Sequence, residues 1–149
     1  MKRILIALTL TAALAGLGLG CRKPKGIDKT IQSSELLATA DKQMKQGKFN
    51  DARLTLRHLE QYLPGSPEFP KAKLMLGDSF FFQSSPSYPE AEVEYASFLN
   101  YFPRHELRDY AMYHRALCHF SSIESAERDQ AETRKALAGF QQLLAESPG

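Results

Sequence analysis

The sequence predicts an all-α fold, a solenoid of about three stacked αα-hairpins. One helical frame occurs three times: Ala52, Leu56, Leu59 and Pro64; Ala91, Tyr95, Phe98, Leu99 and Pro103; Ala136, Phe140, Leu143, Leu144 and Pro148. In each copy large apolar residues stand four and seven places after the alanine, and a proline twelve places on stops the helix. Turn signals such as Gly47 and Ser84-Ser85-Pro86 separate these copies from further apolar-periodic stretches. A frame repeated in this way marks an array whose hairpins bury their faces on one another, an architecture of binding proteins more than of enzymes.

The 149 residues amount to one domain, and the formal charge of +2 comes from Lys2 and Arg3. Without them basic and acidic residues balance, so the chain lacks the basic face of a nucleic-acid-binding domain. Cys21 and Cys118 form no disulfide framework, and Cys118, beside Leu117 and Phe120, reads as a small buried hydrophobe.

Residues 1–20 have a basic start, an apolar run from Ile4 to Leu19 and then small residues, the layout of an export signal. The run is shorter than the ~20 residues that span a bilayer. Gly18-Leu19-Gly20-Cys21 resembles a bacterial lipobox, although Gly18 holds the place usual for leucine and Leu17 lies one place early. That resemblance implies cleavage before Cys21, which becomes the lipid-bearing first residue, and Arg22-Lys23-Pro24-Lys25-Gly26 then reads as part of a solvated tether over residues 21–32. Cleavage after Ala13-Leu14-Ala15 is the alternative and leaves a soluble exported protein. Gly16, Gly18 and Gly20 have no strand before them or helix after them, so they are not a phosphate-binding fingerprint.

The repeat domain is expected over residues 33–149, divided as 33–66, 67–103 and 104–149. Ser33 or Ser34 is expected to cap a helix carrying Leu36, Leu37, Ala40 and Met44, ending near Gly47; a second runs from Phe49 to Leu63. Ser66-Pro67-Glu68 opens the third helix, and Pro89 the fourth. Asp109 to Phe120 is the fifth, and Asp129 with Glu132 offers a capping box for the last.

These positions resemble the 34-residue tetratricopeptide repeat, which implies a right-handed solenoid. With Ser33 as place 1, Ala40, Gly47, Ala52, Leu56 and Pro64 fall on places 8, 15, 20, 24 and 32. With Pro70 as place 1, Leu76 and Gly77 take places 7 and 8, and Ala91 again takes place 20; in the third repeat Ala116 is place 8 and Ala136 place 20. On the third helix Leu74 and Phe81 lie opposite Ala72, Leu76 and Phe80, so its apolar surface is two-sided. Burial on two sides is the plain explanation. In the repeat family places 2, 5, 9, 12 and 13 face a concave groove, which implies Leu74, Asp78, Phe81 and Phe82 there, with Tyr110, Tyr113, Leu117 and Phe120 from the fifth helix. Lys45 and Lys71 are expected nearby for a peptide carboxylate.

Leader, cysteine and repeats together resemble the BamD (YfiO, ComL) lipoproteins of Gram-negative bacteria. The likeness rests also on Arg108-Asp109-Tyr110-Ala111-Met112-Tyr113, on Arg128-Asp129-Gln130 leading to Arg134-Lys135-Ala136-Leu137, on Tyr88 to Ala91 and on Phe98 to Pro103. It implies a lipid-anchored scaffold on the periplasmic face of the outer membrane. The implied partners are a BamA-type barrel assembly protein and the C-terminal segments of unfolded outer-membrane proteins. It also implies about five repeats where three are present, so that a partner or a shortened product is expected at the last. Another exported tetratricopeptide adaptor, acting at peptidoglycan or the division machinery, is the alternative.

No enzyme is expected. His58, His105, His114 and His119 lack metal-site spacing, and no cofactor is implied beyond the covalent lipid. Glu90 and Glu94 share a helix face but read as solvated beside Glu92, not as the paired acids of a hydrolase. Ser33-Ser34 and Ser84-Ser85 lack a nucleophile elbow.

Overall fold

The structure is a computed structural model that describes residues 29–123 and 130–147. Six helices follow in order: α1 (Lys29–Lys45), α2 (Phe49–Tyr62), α3 (Phe69–Phe81), α4 (Tyr88–Tyr101), α5 (Arg108–Ser121) and α6 (Ala131–Glu146). Each packs chiefly on its neighbours in the chain, which gives three hairpins stacked in sequence, with no strand among the described residues. The leader, Cys21, tether residues 22–28, Asp129 and Pro148 lie outside the described residues, and the last expected tether positions, 29–32, are helical and open α1.

Local chemistry fixes the helix ends. Gly47, at φ +73°, closes α1: its N–H bonds the Met44 carbonyl and that of Lys48 bonds Gln43, both at 2.9 Å, a Schellman cap. Leu63, Phe102 and Ser147 close α2, α4 and α6 with nearly one geometry, φ near −130° and ψ of 43°, 58° and 73°. Each precedes a proline, whose ring drives the residue before it out of the helical region. Pro70 and Pro89 sit in the first turns of α3 and α4, where a missing N–H costs little.

The expected cap of the first helix is corrected. α1 begins at Lys29, so Ser33 and Ser34 are inside the helix and do not cap it. Ser33 is buried and donates its hydroxyl to Glu68, at the threshold of α3. That contact across the repeat boundary gives Ser33 an inter-helix role.

The core falls into two clusters that share α3. On one side Ala72, Met75 and Leu76 pack with Ala40, Leu56 and Leu59; on the other Leu74 packs with Ala91, Tyr95, Phe98, Ala111 and Cys118. Burying each of the large side chains is worth about 2–3 kcal/mol. Place 8 is small because a neighbour crosses there: the Tyr95 ring lies against Gly77, and Ala116 meets Gly139.

A buried charge network ties the first hairpin to the second. Lys73, almost fully enclosed, reaches Glu60 of α2 at 2.7 Å and Glu94 of α4 at 3.1 Å, and Arg57 bonds both acids. Burial pushes the Glu60 carboxyl up, but the hydrogen bonds from Lys73 and Arg57 outweigh it and hold it below its ordinary value. Glu94 is therefore a buried ion-pair partner, correcting the reading of a solvated acid; Glu90 is exposed and bonds Ser87. No catalytic pair forms between them.

Candidate functional site

The predicted groove residues divide into a buried platform and an exposed aromatic rim. Tyr95 passes beneath Gly77 and donates its hydroxyl to Asp78 Oδ1 at 2.7 Å. Tyr110, from α5, donates to the same oxygen at 3.1 Å. Burial pushes the Asp78 carboxyl up, only partly offset by those two hydroxyls and by His114, and its pKa stays raised. The same burial, with Asp78 close by, raises both phenols.

His114 is the centre of the platform. Its Nδ1 lies 3.1 Å from the Tyr110 carbonyl, which can only accept, so the proton is on Nδ1. The imidazole stacks on the Tyr110 ring at 4.0 Å and meets Phe81, Phe82 and Tyr113 edge to face at 5.3–5.7 Å. Tyr88 packs against Phe81 at 5.5 Å, and Phe140 of α6 lies 6.0 Å from Tyr113.

Above the platform Phe82 is 52% exposed, Tyr113 45% and Phe120 58%, with Leu117 half-buried between the last two. Aromatic pairs in these geometries contribute about 0.5–1.5 kcal/mol beyond the area they bury, so such a rim can hold an apolar or aromatic side chain of a peptide. Phe81 and Tyr110 are half-buried supports for it.

Three placements differ from expectation. Leu74 is 5% exposed in the second core cluster and presents nothing to a ligand, because α4 and α5 both close over it. Asp78 commits its carboxylate to the two tyrosines. Lys45 closes α1 and pairs with Asp41, while Lys71 is exposed at the opening turn of α3. They therefore stand at opposite ends of successive hairpins and do not converge on one carboxylate.

Sequence reasoning missed His114 as the hub, although its spacing of four from Tyr110 puts both on one helix face. Cys118 is buried as expected, and burial chiefly, with Glu92 nearby, pushes its thiol up to about 12. Among the described residues no three His, Cys, Asp or Glu are placed to hold a metal ion, and no helix is long and apolar enough to cross a membrane.

The repeated caps, the stacked hairpins and the aromatic face are joined by a direct sequence relationship. The family described as "YfiO: Outer membrane lipoprotein" matches residues 29–149, all six helices. The chain belongs to this family. It is also 28% identical, over 142 residues, to the outer membrane protein assembly factor BamD of Caulobacter vibrioides. That match covers 95% of this chain and 46% of the relative, so the chain spans about half the length of the curated protein it resembles.

Proposed function

We propose that the protein is a lipid-anchored scaffold of the machinery that assembles β-barrels in the outer membrane. Its aromatic face receives C-terminal segments of unfolded barrel precursors, and a BamA-type protein is its partner subunit. Acyl chains on Cys21 hold it at the periplasmic face without spanning the bilayer. The observation that supports this most is the exposed rim of Phe82, Tyr113 and Phe120 over a fixed platform of rings, in a chain similar to an assembly factor. Asp78 is committed to the Tyr95 and Tyr110 hydroxyls and His114 to the Tyr110 carbonyl beneath the rim, so what the rim offers a ligand is packing, and this favours binding as the role.

A photo-crosslinking residue in place of Phe82 or Tyr113 should form adducts with barrel C-terminal segments in cells, and Cys21→Ser should release the protein from membranes. No adduct from either position, with Cys21→Ser still membrane-bound, would overturn the proposal. A pull-down in mild detergent should recover a BamA-type protein. Recovery of peptidoglycan or division enzymes instead would assign the protein to the other class of adaptor.

A further inference from the structure

On the side of α5 away from the aromatic face, a cavity of about 700 Å³ opens between α4 and α6. Its origin is visible by comparing one repeat junction with the next. Between the first and second hairpins the corresponding space is filled by Arg57, Glu60, Lys73 and Glu94. Counted by repeat, these stand on places 25, 28, 4 and 23, and one repeat later the same places hold Ala96, Leu99, Met112 and Gly139. Four long charged side chains have become apolar or absent. Leu99, Met112 and Gly139 line the cavity.

Cations outnumber acids among the residues that line its rim. Arg108, Arg115 and Lys135 line it, against one acid, Glu92. Arg115 bonds Glu92 at 2.7 Å, Lys135 bonds Glu132 at 2.7 Å, and Arg108 pairs with Glu146. Arg108 is 25% exposed and shared between Glu146 and Asp109, themselves 39% and 56% exposed, and the Arg115 side chain is 45% exposed; surface ion pairs of that kind are worth about 0–1 kcal/mol, so a ligand carboxylate can exchange for a present acid at little cost. Arg108 and Arg115 are two turns apart on α5, about 10 Å along its axis. That is the reach of about three extended residues at ~3.3 Å each.

We propose that this cavity binds an extended acidic stretch of a partner protein, with one large apolar side chain seated on Leu99 and Met112 between two carboxylates that meet Arg108 and Arg115. The volume is that of pockets for ligands of a few residues. This is a second site, separate from the aromatic face, because Tyr113 and Phe120 lie on the opposite flank of α5.

The test is fluorescence anisotropy on the full chain in mild detergent, with a labelled heptapeptide carrying phenylalanine between two glutamates three residues apart. Ala138 and Gln142 are exposed on α6 and line the cavity, so Ala138→Trp and Gln142→Trp fill it without disturbing the core. Each should weaken binding at least tenfold, as should Arg115→Gln or replacing the peptide's glutamates by glutamine. Phe82→Ser should leave it unchanged. The proposal is overturned by no binding to the unsubstituted chain, by equal binding of the glutamine peptide, or by full affinity in both tryptophan variants. Loss in Phe82→Ser alone would move this peptide to the aromatic face and leave the scaffold reading intact.

Discussion

Gly77→Ala sets two effects of opposite sign against each other. In a helix interior alanine is favoured over glycine by about 1 kcal/mol. At Gly77, however, an added Cβ would lie 2.6, 2.8 and 3.0 Å from three atoms of the Tyr95 ring, where ordinary contact is 3.4–4 Å. The ring has no room to yield: Tyr95 is fully buried and its hydroxyl is held by Asp78 at 2.7 Å. Overpacking costs about 1–3 kcal/mol, and a required shift of most of an ångström belongs at the upper end. The net is a loss of about 2 kcal/mol, or roughly 8 °C in Tm at about 4 °C per kcal/mol for a domain of this size. Thermal unfolding followed by circular dichroism measures it. Gly65→Ala is the control, since nothing lies within 4 Å of its added Cβ and it should change stability by under about 0.5 kcal/mol. Adding Tyr95→Leu to Gly77→Ala should make that alanine less costly than it is beside the intact ring. A Gly77→Ala protein as stable as the unsubstituted chain would refute the packing assigned to place 8.

Lys73→Met should cost about 3 kcal/mol in urea unfolding, because it strips Glu94 of a buried partner; adding Glu94→Gln, which removes the uncompensated charge at nearly the same volume, should recover part of it. The Glu60 carboxyl is held below its unfolded value, so its contribution is present above the ordinary carboxylate range and lost as pH falls through the lowered value; Lys73→Met should flatten that acid loss. Asp78 has the opposite sign: raised by burial, its contribution is complete below the unfolded value and lost as pH rises through the raised one. Asp78→Asn should therefore be stabilised relative to the unsubstituted chain at neutral pH, and this advantage should disappear in acid unfolding curves. Cys118, with its thiol pushed up to about 12, should resist maleimide in the folded protein and react on unfolding; rapid native labelling would contradict its burial.

The helices were legible in the sequence because proline and glycine act through their immediate neighbours. Pro64, Pro103 and Gly47 need no tertiary context to end a helix. The frame of alanine, large apolar residue and proline revealed the stacking for the same reason. What stayed hidden depends on partners far along the chain. Leu74 looked available because one helix cannot reveal that α4 and α5 both close over it. Glu94 looked like a surface charge, and only the meeting of α2, α3 and α4 buries it with Lys73. Ser33 looked like a cap until Glu68 was placed against it. Of the candidate face, the exposed rings on α3 and α5 followed from register, whereas the hub at His114 required both helices in place.

The central claim, that the rim over His114 holds an aromatic peptide end, is tested most directly by titrating the full chain with a labelled peptide ending in phenylalanine. Saturable binding is predicted, weakened at least tenfold when Phe82 and Tyr113 are both changed to serine, with the helical spectrum intact. Binding of the double variant at unchanged affinity would contradict it.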